Sequence, residues 1–88
     1  MNMKNISKPA IFYCENLIKS HKKHTPQYII DGNGHAIETT EAMRLKMAVE
    51  HALITVKETI VALKLNDVDT DYAYEKKLYL ENKLKELI

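Results

Sequence analysis

The sequence predicts an all-α fold, or a small α+β variant of it. A short helix and a β-hairpin or ordered loop precede a long antiparallel two-helix hairpin. Three observations support this prediction. Residues 40–65 lack Gly and Pro and repeat apolar residues at a helical period, residues 7–23 and 71–88 show shorter repeats of the same kind, and both glycines fall at residues 32–34. We expect one elongated three-helix domain over residues 1–88.

The first predicted helix begins after Ser7 and runs to about Ser20 or Lys23. Ser7 can accept a hydrogen bond from the first turn. Pro9 suits that turn because its nitrogen has no intrahelical partner to lose. Pro26 ends the helix, since the residue before a proline is pushed out of the α region. The expected core face comprises Ala10, Ile11, Cys14, Leu17, Ile18 and His21, while Phe12 and Lys19 point the opposite way.

Residues 28–37 predict a small β-hairpin or an ordered loop. Two short apolar runs, residues 28–30 and 35–37, flank Asp31-Gly32-Asn33-Gly34, a sequence suited to a tight turn. An isolated two-stranded hairpin is only marginally stable in water. We therefore expect this segment to lie against the helices.

The long middle helix carries two apolar stripes, whereas an ordinary surface helix has one. Its expected N-cap is Thr39 or Thr40. The first stripe should face the core and comprises Ala42, Leu45, Val49, Ala52, Leu53, Val56, Ile60 and Leu63. The second stripe comprises Met43, Met47, Ile54, Val61 and Leu65. The helix is about 39 Å long, whereas a compact globule of this chain length is about 31 Å across. The domain should therefore be elongated, and part of the second stripe should lack internal cover.

The third helix is expected from about Asp71, after a turn at residues 66–70. Its predicted core face comprises Ala73, Leu80, Leu84, Leu87 and Ile88. Tyr72 and Tyr79 lie on one flank of this face, and Tyr74 and Leu78 lie on the other.

Composition and charge restrict the classes of partner. The chain is 45% hydrophobic and 28% charged, as in an ordinary folded domain. Residues 1–27 carry five Lys against one Glu, and residues 66–88 carry six acids against four Lys. A net charge of +1 is nevertheless far from that of a dedicated nucleic-acid surface. We do not expect nucleic acid as the main partner.

The same composition bears on location. A membrane-spanning helix needs about 18 consecutive apolar residues, and the sequence has no such run. Its single cysteine, Cys14, lies in an apolar helical pattern, which suits a reducing compartment. We expect a cytoplasmic protein with no membrane partner.

The second stripe is the candidate interface. Met47, Ile54 and Val61 recur every seven residues, a spacing that one neighbouring helix can cover. Tyrosine beside methionine is a frequent interface composition, because both side chains bury a large area. The predicted oligomer or partner interface comprises Met43, Met47, Ile54, Val61, Leu65, Tyr72 and Tyr79. An alternative left open is that the tyrosines pack beneath the hairpin.

The basic end of the first helix offers a second kind of site. Its cations, with the loop at His35, suggest an alternative anion-binding site that comprises Lys19, Lys22, Lys23, His24 and His35. The competing interpretation is that cations at a helix C-terminus simply oppose the negative end of the helix dipole.

The sequence predicts neither a metal site nor a cofactor. Cys14 and His21 are two helical turns apart, which is too far to share one ion. Residues 67–71 alternate carboxylates as an EF-hand loop does. However, Tyr72 and Leu78 stand where that loop needs glycine and a bidentate glutamate.

We expect no enzymatic activity, because no Ser or Cys stands in a recognisable nucleophile motif. The function predicted from the sequence is that of a small cytosolic interaction protein. It would self-associate and bind a macromolecular partner through apolar Met, Tyr and aliphatic surface, as small accessory or phage-type regulators can. The alternative is a module that binds an anionic, nucleotide-like small molecule or weakly contacts nucleic acid through the basic end of the first helix.

Overall fold

The computed structural model describes residues 6–87. Three helices and two strands follow one another in this range: α1 (Lys8–Lys22), β1 (Tyr28–Ile30), β2 (Ala36–Glu38), α2 (Glu41–Leu65) and α3 (Asp71–Glu86). This confirms the predicted fold, a mostly helical domain with a hairpin insert. Ile88, predicted for the core, lies outside the described residues.

Side-chain caps fix the starts of the first two helices. Ser7 Oγ accepts a hydrogen bond from the Ala10 amide at 3.4 Å, and Pro9 occupies the first turn of α1. Thr40 Oγ1 accepts a hydrogen bond from the Met43 amide at 3.1 Å, so Thr40 is the N-cap of α2. The first turn of α3 differs. There the Asp69 carboxylate accepts a hydrogen bond from the Asp71 amide at 3.0 Å.

The core forms where all three helices meet. Helix α2 packs on both α1 and α3, which also contact each other. The buried apolar side chains are Ile6, Ala10, Cys14, Ile18, Ala48, Val49, Ala52, Leu53, Val56, Ile60, Ala73, Tyr79 and Leu80. The principal extents of 46 × 29 × 19 Å confirm the expected elongated shape.

One member of the predicted core stripe of α2 is not in the core. Ala42 is exposed. Helix α3 starts beside the C-terminal end of α2, and its 16 residues reach back about 24 Å along a helix about 37 Å long. The first turn of α2, which holds Ala42, therefore lies beyond α3.

The hairpin does not lie against the helices, so that expectation was wrong. Its strands pair in the register Tyr28↔Glu38, Ile29↔Ile37 and Ile30↔Ala36. No Cα of either strand lies within 8 Å of a helix Cα, apart from near neighbours in the chain. The turn is held locally, because the Asp31 carboxylate accepts hydrogen bonds from the Asn33 and His35 amides, both at 2.9 Å.

Thr39 joins the hairpin to α2. This buried residue donates its hydroxyl hydrogen to the carbonyl oxygens of Pro26, at 2.8 Å, and Gln27, at 3.0 Å. Its amide also bonds the Gln27 carbonyl at 2.8 Å. Arg44 Nη1 donates to the Thr39 carbonyl at 2.9 Å. These bonds satisfy the polar groups at the base of the hairpin without apolar packing.

Within residues 6–87, no helix combines the length and the apolar character that crossing a bilayer would require.

Candidate functional site

The C-terminal half of the second stripe is exposed along α2. Ile54 is 54% exposed, Val61 57% and Leu65 81%. At 100° per residue these three side chains project roughly opposite the core face of α2. Neither α1 nor α3 covers them, and the hairpin lies apart from the helices. Because α2 runs along the domain, the exposed apolar side chains form a line on its outer face.

The N-terminal half of the second stripe is partly covered. Met43 and Met47 are half-buried. Met47 lines a small pocket of about 200 Å³ with His21, His24 and His51, and with Thr25 and Pro26. The second stripe therefore offers less free apolar surface at this end than at Ile54.

The two tyrosines assigned to the interface lie in different environments. Tyr72 is exposed in the first turn of α3. Tyr79 is only 6% exposed and donates a hydrogen bond to the Glu15 carboxylate of α1. Burial, together with that hydrogen bond, raises the pKa of Tyr79 well above its usual range. Tyr79 is therefore a core residue that joins two helices, and its assignment to the interface was wrong.

The residues of the alternative anion site do not converge. Lys19 and Lys23 are exposed, whereas the Lys22 ammonium pairs with the Glu41 carboxylate of α2. His35 lies in the hairpin turn, 3.8 Å from the Asp31 carboxylate. The pocket at the C-terminal end of α1 includes His24, but neither His35 nor the three lysines lines it. No single ligand position is thus shared by all five residues.

Histidines meet where α1 crosses α2. The ring centroids of His21 and His51 are 5.8 Å apart. His21 Nε2 lies 3.5 Å from the Thr55 hydroxyl oxygen. The rings help to pack α1 on α2. Among residues 6–87 no cluster of three metal-ligating side chains is suitably placed for an ion.

Cys14 lies deep in the core between α1 and α3. Its thiol donates a weak hydrogen bond to the Lys76 carbonyl, with sulfur and oxygen 3.5 Å apart. Burial raises the pKa of the Cys14 thiol to about 11, although the nearby Lys76 ammonium opposes this shift. A protonated, enclosed thiol is a poor nucleophile.

An aromatic groove, which sequence reasoning did not find, lies between α1 and the start of α3. It is a shallow depression of about 510 Å³, wide open to solvent, and is lined by Pro9, Phe12, Tyr13, Asn16, Leu17, Ser20 and Tyr72. Phe12 stands at the groove with 71% of its surface exposed. The outward position of Phe12 on the first helix was visible in the sequence, but its juxtaposition with Tyr72 depends on how α3 packs.

A buried lysine contacts two of the aromatic rings that line this groove. Lys76 is 8% exposed. Its ammonium nitrogen lies 4.0 Å from the centroid of the Tyr13 ring and 4.6 Å from that of Tyr72. No carboxylate of the described residues forms an ion pair with it. Lys76 itself is not among the residues that line the groove.

No protein-family model matches the chain, and neither a curated protein nor a solved structure shows significant similarity to it.

Proposed function

We propose that this chain is a small non-enzymatic interaction protein of the cytosol. In this proposal it self-associates, and holds a macromolecular partner, through the exposed part of the second stripe. The observation that carries the proposal is the line of Ile54, Val61 and Leu65 on the outer face of α2.

The geometry of this line suits a helical neighbour. Ile54 and Val61 are seven residues apart on the same helix, so one helix packed alongside can cover both. Polar side chains, among them Lys57, Glu58 and Lys64, border the line and are exposed. An apolar centre with a charged rim is the usual composition of a protein interface.

The hairpin exposes further apolar side chains, on both of its faces. Tyr28 and Ile30 are exposed on one face of the hairpin, and Ile37 is exposed on the other. Since a two-stranded hairpin is marginal in water by itself, contact with a partner would stabilise it. This supports a role in macromolecular binding in addition to self-association.

Sedimentation velocity of the wild type and two variants tests the proposal. We expect the wild type to sediment as a dimer or larger at micromolar concentration. The double variant Ile54→Lys with Val61→Lys should sediment as a monomer, because it places unpaired charges in a desolvated contact. Circular dichroism should show unchanged helicity, since both positions are exposed.

Ala62→Lys is the matched control. Ala62 is also exposed on α2 and follows Val61 directly, but it points about 100° away around the helix. It should leave the sedimentation coefficient unchanged. A wild type that remains monomeric at high micromolar concentration would rule the proposal out.

A further inference from the structure

The second stripe of α2 is symmetric about Ile54. Met47 and Val61 each lie seven residues from Ile54, and Met43 and Leu65 each lie eleven residues from it. At 100° per residue, all four side chains project within about 20° of Ile54. An interface with two-fold symmetry must be complementary to itself. An apolar line with this symmetry can match an inverted copy of itself residue for residue.

An inverted pair joins side chains that suit one another. With Ile54 on the two-fold axis, the exposed Val61 of each copy meets the half-buried Met47 of the other. Methionine is unbranched and flexible, so it adapts to the side chain that covers it. All the buried residues of α2 project about 100° or more away from Ile54. The core therefore lies on the far side of α2, and a second copy can approach the stripe.

Charged side chains flank the stripe in a matching pattern. Glu50 and Lys57 project about 40° and 60° to one side of Ile54, and His51 and Glu58 project about 60° and 40° to the other. All four are exposed. In an inverted pair each flank faces the same flank of the other copy. Glu50 then lies within one residue of the level of the other copy's Lys57, and His51 lies as close to the level of the other copy's Glu58. Each flank thus places an acid beside a basic side chain.

The same charges disfavour the neighbouring inverted register. If Ile54 of one copy opposed Val61 of the other, Glu58 would lie beside the Glu58 of the other copy, and Lys57 would lie beside the other Lys57. Like charges brought together in an interface are costly and suppress the wrong arrangement. The flanking charges therefore select the register that is centred on Ile54.

The two ends of the domain differ in charge. The end at the start of α2 also holds the end of α1, because Lys22 pairs with Glu41 there. Its described cations are Lys19, Lys22, Lys23, Arg44 and Lys46, and its acids are Asp31, Glu38 and Glu41. The opposite end holds the start of α1, because the Ser7 amide donates to Glu75 Oε1 at 2.7 Å. Its described acids are Asp67, Asp69, Asp71 and Glu75, and its lysines are Lys8 and Lys64.

This difference favours the antiparallel orientation over the parallel one. A parallel pair would also bring Lys57 beside the other copy's Glu58. It would, however, place the two basic ends together and the two acidic ends together. An antiparallel pair places each basic end beside an acidic end, and it also opposes the dipoles of the two α2 helices. Such complementarity sets the orientation of a complex more than its affinity.

We propose that two copies pair through α2 in antiparallel orientation, with Ile54 of both at the two-fold axis, Val61 of each against Met47 of the other, and Glu50 of each beside Lys57 of the other. This rests on the proposed function and deepens it, because it names a second copy in a defined register as the occupant of the stripe. The two starts of α2, each preceded by a hairpin, then lie about 40 Å apart along the helix axis. A macromolecule that contacts both hairpins must span that distance.

Cysteine cross-linking tests the orientation. The single variants Met47→Cys and Val61→Cys, each first shown by sedimentation to associate, are mixed in equal amounts and treated with a short bismaleimide. A cross-linked dimer of one copy of each variant, identified by its mass, should dominate. Val61→Cys alone should give little product, because its two cysteines lie about 21 Å apart along the axis. The wild type is the control for Cys14, which is buried.

Exchange of charges tests the register. Glu50→Lys should raise the dissociation constant of the dimer about tenfold, because two symmetric contacts then bring lysines together. Lys57→Glu should weaken association in the same way. The combined variant Glu50→Lys with Lys57→Glu should return to within about threefold of the wild type, because each contact regains opposite charges. Sedimentation equilibrium measures these constants, and circular dichroism checks that helicity is unchanged.

Two outcomes would overturn the orientation while self-association stands. One is a cross-linked product from Val61→Cys alone with none from the mixture. The other is a combined variant that associates more weakly than both single variants, as a parallel pair would, since it would bring acids together at residues 57 and 58. A wild type that stays monomeric at high micromolar concentration would refute the proposed function and the inference with it. Sedimentation of the wild type therefore distinguishes the two failures.

Discussion

Tyr79 of α3 donates its phenolic hydrogen to the Glu15 carboxylate of α1. The two residues are 64 positions apart in the chain, and Lys83 also reaches the same carboxylate. Helix α1 and helix α3 are thereby joined by a polar contact between side chains at the edge of their interface. This contact gives a first test of how the domain is stabilised.

Tyr79→Phe should lower the free energy of unfolding by about 1 kcal/mol, the net value of a typical hydrogen bond. Urea denaturation at pH 7 measures the difference. Tyr72→Phe is the matched control on the same helix. Its hydroxyl has no described hydrogen bond and the residue is exposed, so the change should be within about 0.5 kcal/mol. Equal effects of the two substitutions would mean that the Glu15 contact does not stabilise the fold.

Alkaline pH should destabilise the domain through Cys14. Burial raises the pKa of this thiol from 9.0 to about 11 in the folded state. The unfolded chain therefore loses the proton at lower pH than the folded protein does, so the stabilising contribution is complete below about pH 9 and declines as the pH rises towards 11. Urea denaturation at intervals between pH 8 and pH 11 follows this decline. Cys14→Ala should make the decline shallower, although the raised pKa of Tyr79 still lowers stability above about pH 10. An unchanged slope between pH 9 and pH 10 would contradict the prediction.

The core face of the long helix hairpin should dominate stability. Leu80 and Val56 are almost fully buried, whereas Leu84 is half-buried. Leu80→Ala should lower the free energy of unfolding by about 3 kcal/mol, and Val56→Ala should lower it by about 2 kcal/mol. Leu84→Ala should lower it by less than Leu80→Ala does, because less of the Leu84 side chain is buried in the core. Thermal unfolding curves, monitored by circular dichroism, give the order of the three losses in stability. A larger loss at Leu84 than at Leu80 would show that the core is centred elsewhere.

The basic end of α1 should contribute little to association. Replacing Lys19, Lys22 and Lys23 together by Gln removes two exposed charges and one surface ion pair, that of Lys22 with Glu41. Such pairs are worth at most about 1 kcal/mol, so sedimentation and melting temperature should barely change. Loss of self-association in this variant, with the Ile54→Lys and Val61→Lys variant still associated, would move the interface to α1.

The hairpin should open independently of the helices. The Asp31 amide donates to the His35 carbonyl at 2.9 Å, and the Thr39 amide donates to the Gln27 carbonyl. These bonds close the turn and the base of the hairpin, and neither strand packs against a helix. Their amide hydrogens should exchange orders of magnitude faster than that of Val56, whose exposure requires the core to open. Thr39→Val should accelerate hydrogen exchange of the amide at residue 39 and leave the exchange rate of the Val56 amide unchanged. Equal exchange rates for the Asp31, Thr39 and Val56 amides would show instead that the hairpin and the helices open as one cooperative unit.

Much of the fold was predictable because local patterns determine it. Apolar periodicity, Ser7, Pro9 and the threonines before α2 place the helices within a few residues of their observed bounds. The glycine-containing turn predicted either a hairpin or an ordered loop, and the structure has the hairpin. Its separation from the helices did not follow, because the Thr39 hydrogen bonds that replace packing involve residues up to 13 positions apart.

The sites were less predictable than the fold. Helical period places Tyr72 and Tyr79 on one flank of α3, but it does not indicate which turn faces α1. Tyr79 hydrogen-bonds Glu15 of α1, whereas Tyr72 lines the aromatic groove. Likewise Lys76 reads as a solvated charge in the sequence. Its burial depends on Tyr13, which comes from a helix more than 60 positions earlier.

Residues 26–38 contribute nothing to the hydrophobic core, whose buried apolar members come from residues 6–18 and 48–80. Lengthening a loop of this size adds only a small entropic cost, about 0.6 kcal/mol for each doubling. Related chains can therefore gain, shorten or exchange the hairpin without refolding the helices around it. We expect this segment to tolerate insertions and to diverge fastest in evolution, so that new binding specificity can arise there on an unchanged helical frame.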